Sequence, residues 1–154
     1  MKTNLIISLI IILMTNPFIK IFSKNSDEVI IEKKFQNWIN NVNKESVNDS
    51  IVGFNFGLFD SEKGYVMYLI GSELFDKDNE DWATEINFEP SKKYFNFGKS
   101  FSKNKTWKEI LDYSVKIITG YIESEKFKSS IFFNAVGITT GFDDGNLIII
   151  YSKD

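Results

Sequence analysis

Residues 51–72 read IVGFNFGLFDSEKGYVMYLIGS, and the alternation in this stretch decides the fold class. In its first half Val52, Phe54, Phe56 and Leu58 fall on one face of an extended chain, with Gly53, Asn55 and Gly57 on the other. Side chains of a strand point alternately to opposite faces, so this is the pattern of a strand with one heavily apolar side. Residues 65–72 alternate again, Val66, Tyr68 and Ile70 against Tyr65, Met67 and Leu69. The intervening residues 60–64, Asp-Ser-Glu-Lys-Gly, join the two as a hairpin in which Gly64 is free to take a left-handed backbone. The glycines at 53 and 57 leave room for a helix to approach that side of the sheet.

On the amino-terminal side of this hairpin, Ile31, Phe35, Trp38 and Val42 recur at helical spacing, widened by Ile39, and predict a helix over residues 27–42. Ser26 or Asp27 serves as its N-cap, and Asp27, Glu28 and Glu32 suit the positive end of its dipole. On the carboxyl-terminal side, residues 82–88 read as a further strand and residues 93–98 as a short aromatic one. Thr106-Trp107-Lys108-Glu109 has the form of a capping box and opens a second helix. Its apolar stripe runs through Trp107, Ile110/Leu111, Ser114, Ile118 and Tyr121/Ile122. Residues 138–142 and 147–151 form a last hairpin around Asp144-Gly145, a type I′ signal. The final Leu-Ile-Ile-Ile-Tyr is apolar on both faces, which predicts a central strand. The sum is an α+β domain: a mainly antiparallel sheet of about five or six strands with two helices packed on one face.

The chain has 154 residues, enough for one domain, assigned to residues 24–154. Residues 1–23 stand apart. A short basic start precedes an apolar run from Leu5 to Met14 that fits the h-region of a signal peptide and is too short for an ordinary membrane span. This segment predicts an export signal or membrane anchor, and so an exported or membrane-associated protein in preference to a cytoplasmic one.

Absent residue types narrow the chemistry. There is no His, Cys or Arg among the 154 residues. Zinc sites built on Cys and His, thiolate nucleophiles, imidazole bases, Ser-His-Asp triads and arginine fingers are therefore all excluded. The glycines fit neither a P-loop nor a dinucleotide fingerprint, and no cofactor is implied. Carboxylate pairs such as Asp76/Asp78, Asp143/Asp144 and Glu123/Glu125 are abundant, but nothing in their spacing selects two that face one another across a cleft.

Charge is segregated along the chain. Residues 27–91 carry fourteen acidic residues and five lysines, whereas residues 92–128 carry nine lysines and four acidic residues. The densest acidic stretch is Asp76-Lys77-Asp78-Asn79-Glu80-Asp81-Trp82. Against a calcium-loop template it puts Asp81 where Gly is needed and Asn87 where a bidentate Glu is needed, so it predicts no metal site. Its candidate role is partner binding: Asp76, Asp78, Glu80 and Asp81 as carboxylates that steer a basic protein, with Trp82 either an interface anchor or a core side chain. The lysine-rich stretch interleaves Lys92, Lys93, Lys99, Lys103 and Lys105 with Tyr94, Phe95, Phe97, Phe101 and Trp107. It reads as buried aromatics with a lysine rim rather than a nucleic-acid surface, since Arg is absent and net charge is −3.

Two passages carry a resemblance: DKDNEDWA at residues 76–83 and AVGITTGFDDGNLIIIY at residues 135–151. With the helix between them, residues 50–152 resemble small acidic bacterial proteins of the immunity type, found beside polymorphic toxins. The resemblance implies a protein that binds and neutralises a cognate toxin and has no catalysis of its own. The competing expectation is an exported small enzyme or ligand-binding protein that uses carboxylates in a cleft between sheet and helices.

Overall fold

Phe54, Phe56 and Leu58 are fully buried, and the reason is visible in the strand order. The computed structural model describes residues 26–153. In it β1 (Gly53–Phe59) is central in a five-stranded sheet ordered β3-β2-β1-β4-β5. Here β2 is Val66–Ser72, β3 is Tyr94–Asn96, β4 is Gly137–Phe142 and β5 is Ile148–Ser152. β1 pairs antiparallel with β2 and parallel with β4, and the two outer pairs are antiparallel. The sheet is thus mixed but mostly antiparallel. Parallel neighbours need a long crossover, usually through a helix. The path from β3 to β4 supplies one, through a short helix α2 (Lys99–Ser102) and the long α3 (Trp107–Ile122).

Helix α1 (Ser26–Val42) buries Ile31, Phe35, Trp38, Ile39 and Val42, the predicted stripe. Helix α3 buries Ile110, Tyr113, Ser114, Ile117, Ile118 and Tyr121. Both stripes join Phe54, Phe56 and Leu58 in one core cluster. The capping box at the start of α3 is complete: Thr106 Oγ1 accepts from the Glu109 amide at 3.3 Å, and Glu109 Oε2 accepts from the Thr106 amide at 2.7 Å. Two donors that no helical carbonyl reaches are thereby satisfied.

The core is aromatic. Phe132 lies 4.9 Å from Phe54, 5.7 Å from Phe56 and 6.1 Å from Tyr121, centroid to centroid. Phe35, Trp38 and Phe95 form a second cluster at 5.6–5.8 Å. Edge-on and tilted contacts of this kind add about 0.5–1.5 kcal/mol each beyond area burial. The Trp38 indole N–H also donates to the Lys92 carbonyl at 2.7 Å, tying α1 to the segment that leads into β3.

Four sequence expectations are corrected. β5 is an edge strand, not a central one, and its Ile148 and Ile149 are exposed. The inner position belongs to β4, whose Thr139 and Thr140 satisfy their hydroxyls on Asn55 Oδ1 (3.1 Å) and the Phe56 carbonyl (2.6 Å). Residues 82–88 form no strand: Glu80–Thr84 is a 3-10 helix, and Phe88 makes a lone bridge to Gly71. The β4–β5 turn is not type I′, which needs positive φ at both central residues. Gly64 and Gly98 alone have positive φ among the described residues, and the Gly145 amide instead closes a turn onto the Phe142 carbonyl at 2.9 Å. Trp107 leaves the predicted buried stripe of α3 and is 59% exposed. Residues 1–23, expected to be an export signal or anchor, lie outside the described residues. No helix among the described residues is long and apolar enough to cross a membrane.

Candidate partner-binding face

The second face of the sheet has an unusual floor. The parallel register of β1 and β4 sets Gly53 beside Gly137, Asn55 beside Thr139, and Gly57 beside Gly141. Where side chains are missing, aromatic rings descend. A Cβ at Gly137 would overlap the Phe75 ring, one at Gly53 would meet the Trp82 indole, and one at Gly57 would overlap Tyr68. Phe75 and Trp82 pack edge to face at 5.2 Å. These two rings are the feet on which the acidic segment stands as it crosses the sheet. Of the two glycines foreseen as a berth for a helix, Gly53 admits one, the 3-10 helix that carries Trp82, whereas Gly57 is covered by Tyr68 of the neighbouring strand.

Trp82 is 4% exposed, so its place at this face is beneath the carboxylates. Asp76, Asp78, Glu80 and Asp81 are all exposed above it. Local hydrogen bonds stiffen the segment. The Asp78 amide donates to Asp76 Oδ1 at 2.8 Å, and the Asp81 amide to Asn79 Oδ1 at 3.0 Å. The Glu73 amide donates to Asn87 Oδ1 at 2.9 Å, which uses the residue that failed the calcium template as a loop clamp. Glu80 Oε1 accepts from the Leu147 amide at 3.0 Å and joins the segment to the β4–β5 turn. Among the described residues no group of His, Cys, Asp and Glu is arranged to hold a metal ion.

Two adjoining cavities result. One, of about 470 Å³, is walled by Glu80, Asp81, Thr84 and Ile86 over a floor that includes Asn55, Tyr68 and Gly141. The other, of about 530 Å³, lies past the end of the sheet and is lined by Leu58, Phe59, Asp60, Tyr65, Trp107, Phe142, Asp143, Asp144 and Gly145. Phe142, Asp143 and Gly145 belong to both. No lysine lines either one. Asp76 faces a separate hollow with Phe75 and Trp82, and Asp78 lines none of the three. The structure therefore brings Glu80 and Asp81 together with Asp143, and leaves Asp76 and Asp78 on the outer rim.

Between the cavities the Tyr68 hydroxyl donates to Asp143 Oδ1 at 2.6 Å. Burial first, then the hydrogen bond and the negative charge of Asp143, push the Tyr68 phenol above the ordinary tyrosine range, so it stays a neutral donor. Lys93 Nζ stands 5.5 Å over the Tyr68 ring and 5.7 Å from that of Tyr94, and pairs with Glu89. In the lysine-rich stretch, Phe95, Phe97 and Phe101 are buried as expected, while Tyr94 and Trp107 are exposed.

Asp60, Asp143, Asp144 and Trp107 were not singled out by sequence reasoning as partner-facing. Asp143 and Asp144 are already accounted for by a turn, and Trp107 has the spacing of the buried stripe. What separates it is its place at the first position of α3, where its ring stands beside Phe142 at the end of β4.

No family model, no curated protein and no solved structure matches this chain.

Proposed function

We propose that this is a non-enzymatic binding protein of the immunity type, which neutralises a cognate bacterial toxin by covering a basic surface on it. The observation that carries the reading is the mounting of the acidic segment. Its carboxylates sit on a backbone held by Phe75 and Trp82 beneath and by Asn87 and Leu147 at its flanks, so they are presented without first having to be ordered. A preorganised negative surface speeds encounter with a positive one and lowers the entropy lost on docking. Asp76, Asp78, Glu80 and Asp81 are the contact residues in this proposal, and Trp82 is their support. The two passages that resemble immunity-type proteins coincide with the acidic segment and with β4–β5, which together frame this face.

The second reading, a small exported carboxylate enzyme or ligand-binding protein, is favoured by the two cavities. Against its catalytic form, no Asp or Glu among the described residues is buried, and a general acid at neutral pH ordinarily needs burial to keep its proton.

The test is to express the full chain with a carboxy-terminal tag in its host, crosslink, and identify the stoichiometric partner. A single basic protein whose toxicity the chain suppresses, released when Asp78, Glu80 and Asp81 are all replaced by Lys, is the expected result. Undiminished binding by that charge-reversed variant sinks the surface assignment. Recovery of no protein above background turns the reading toward small-molecule binding.

A further inference from the structure

Of the three tryptophans, Trp38 and Trp82 are 6% and 4% exposed, and Trp107 is 59% exposed at the lip of the larger cavity. Its ring stands 6.3 Å from Phe142 at an interplanar angle of 87°, and Phe142 stands 5.8 Å from Tyr65 at 80°. With Leu58 and Phe59 these rings form an apolar wall, and the rest of the lining is Asp60, Asp143, Asp144 and Gly145. Asp143 engages Tyr68 through one oxygen. The side chains of Asp60 and Asp144 make no hydrogen bond or ion pair within the described residues. Three negative charges therefore face a cleft with an aromatic side and no cation of its own.

The complementary occupant has a flat, weakly hydrated face for the rings and several N–H donors around its edge for separate carboxylates. A guanidinium meets both conditions, whereas an ammonium is compact, strongly hydrated and has no face to stack. We propose that this cleft receives an arginine side chain of the basic partner, its guanidinium lying against the exposed Trp107 ring beside Phe142, with its N–H groups on Asp60, Asp143 and Asp144. No arginine of the chain itself or of a second copy fills the place, because the sequence contains none. The inference deepens the proposed function and rests on it for the partner, while the receptor chemistry is testable without that partner.

The experiment uses the full chain labelled with nitrogen-15 and follows the three indole N–H resonances while Nα-acetyl-arginine amide is added. Nα-acetyl-lysine amide and Nα-acetyl-citrulline amide, the uncharged analogue of the arginine probe, serve as comparisons. The expected result is a saturable shift of one indole resonance, assigned to Trp107 by its loss in Trp107→Phe. The lysine probe binds several-fold more weakly and the citrulline probe gives no saturable shift. Asp60→Asn combined with Asp144→Asn weakens the arginine probe about 10-fold, as expected for lost charge-assisted hydrogen bonds, with the Trp38 and Trp82 resonances unmoved as proof of an intact fold. A non-saturating drift, equal responses to arginine and citrulline, or an unchanged affinity in the Asn variant overturns the proposal. A failure here with partner capture still lost on reversal of the 76–81 charges leaves the inhibitor reading standing without the arginine receptor. A saturable arginine site with no basic partner recovered does the reverse.

Discussion

At the scale of single residues, the pairing of Gly53 with Gly137 across β1 and β4 decides where the acidic segment can sit. Gly137 has no spare room, since a methyl group there overlaps the Phe75 ring. Gly137→Ala is expected to cost about 1–3 kcal/mol, the usual penalty for overpacking, read as a lower urea midpoint. Because Phe75 moves with it, the substitution also loosens the segment around Trp82, which faster amide exchange at residues 76–84 reports. Tyrosine titration gives a second residue-scale prediction. Burial raises the pKa of both Tyr68 and Tyr113, with Asp143 adding to the first and the charges of Glu32 and Glu28 to the second. An unfolded chain releases these protons near pH 10 while the folded chain still holds them. Their contribution to stability is therefore complete below about pH 10 and is lost as pH rises above it. The urea midpoint should fall more steeply above that pH in the native chain than in a Tyr68→Phe, Tyr113→Phe variant. The tryptophans show what residue-level reading misses. Trp82, whose surface and core readings were both open, is buried, and Trp107, assigned to a buried stripe, is exposed. Helical spacing names the face a residue is on but not whether the neighbouring element extends far enough to cover it.

At the scale of elements, the helices were legible and the strand order was not. The stripe of α1 and the capping box of α3 depend on residues within a few positions of one another, so local sequence carries them. The exchange of β4 and β5 has a different origin. An inner strand is recognised by having partners on both edges, and β4 obtains its second partner from β1, more than 75 residues earlier, through a parallel pairing that hydropathy does not encode. Its threonines look half-polar in sequence, yet both hydroxyls are consumed inside the sheet. β5 in turn presents an uncharged edge with Ile149 43% exposed, the sort of edge that invites pairing with another chain. Ile149→Lys is expected to leave the circular dichroism spectrum unchanged and to reduce concentration-dependent self-association in sedimentation velocity. An unchanged association profile would show that this edge is protected by something other than its side chains.

Across the whole molecule, the charge segregation seen along the chain does not become a clean segregation of faces, since Asp27 and Glu28 ride on α1 and Lys93 stands over Tyr68 on the glycine side. The acidic segment lies on the glycine-floored side of the sheet, with the β4–β5 turn adding Asp143 and Asp144, and the helices and aromatic core fill the other side. If these carboxylates steer a basic partner, the association rate should fall by about 10-fold or more between low salt and 0.5 M salt, with little change in dissociation rate, as stopped-flow mixing can measure. A salt-independent association rate would remove electrostatic steering from the account. The amino-acid sequence by itself determined the α+β class, the two long helices with the capping box of the second, the β1–β2 hairpin, and the exclusion of every chemistry that needs His, Cys or Arg. These follow from local periodicity and from composition, which no folding can change. Only the tertiary structure decided that β1 and β4 lie side by side, that their glycines seat Phe75 and Trp82, and that Asp60, Asp143, Asp144 and Trp107 converge on one cleft. Asp60, Trp107 and the Asp143-Asp144 pair are separated by tens of positions, and what joins them is sheet register, a property of which strands pair and not of any stretch read alone.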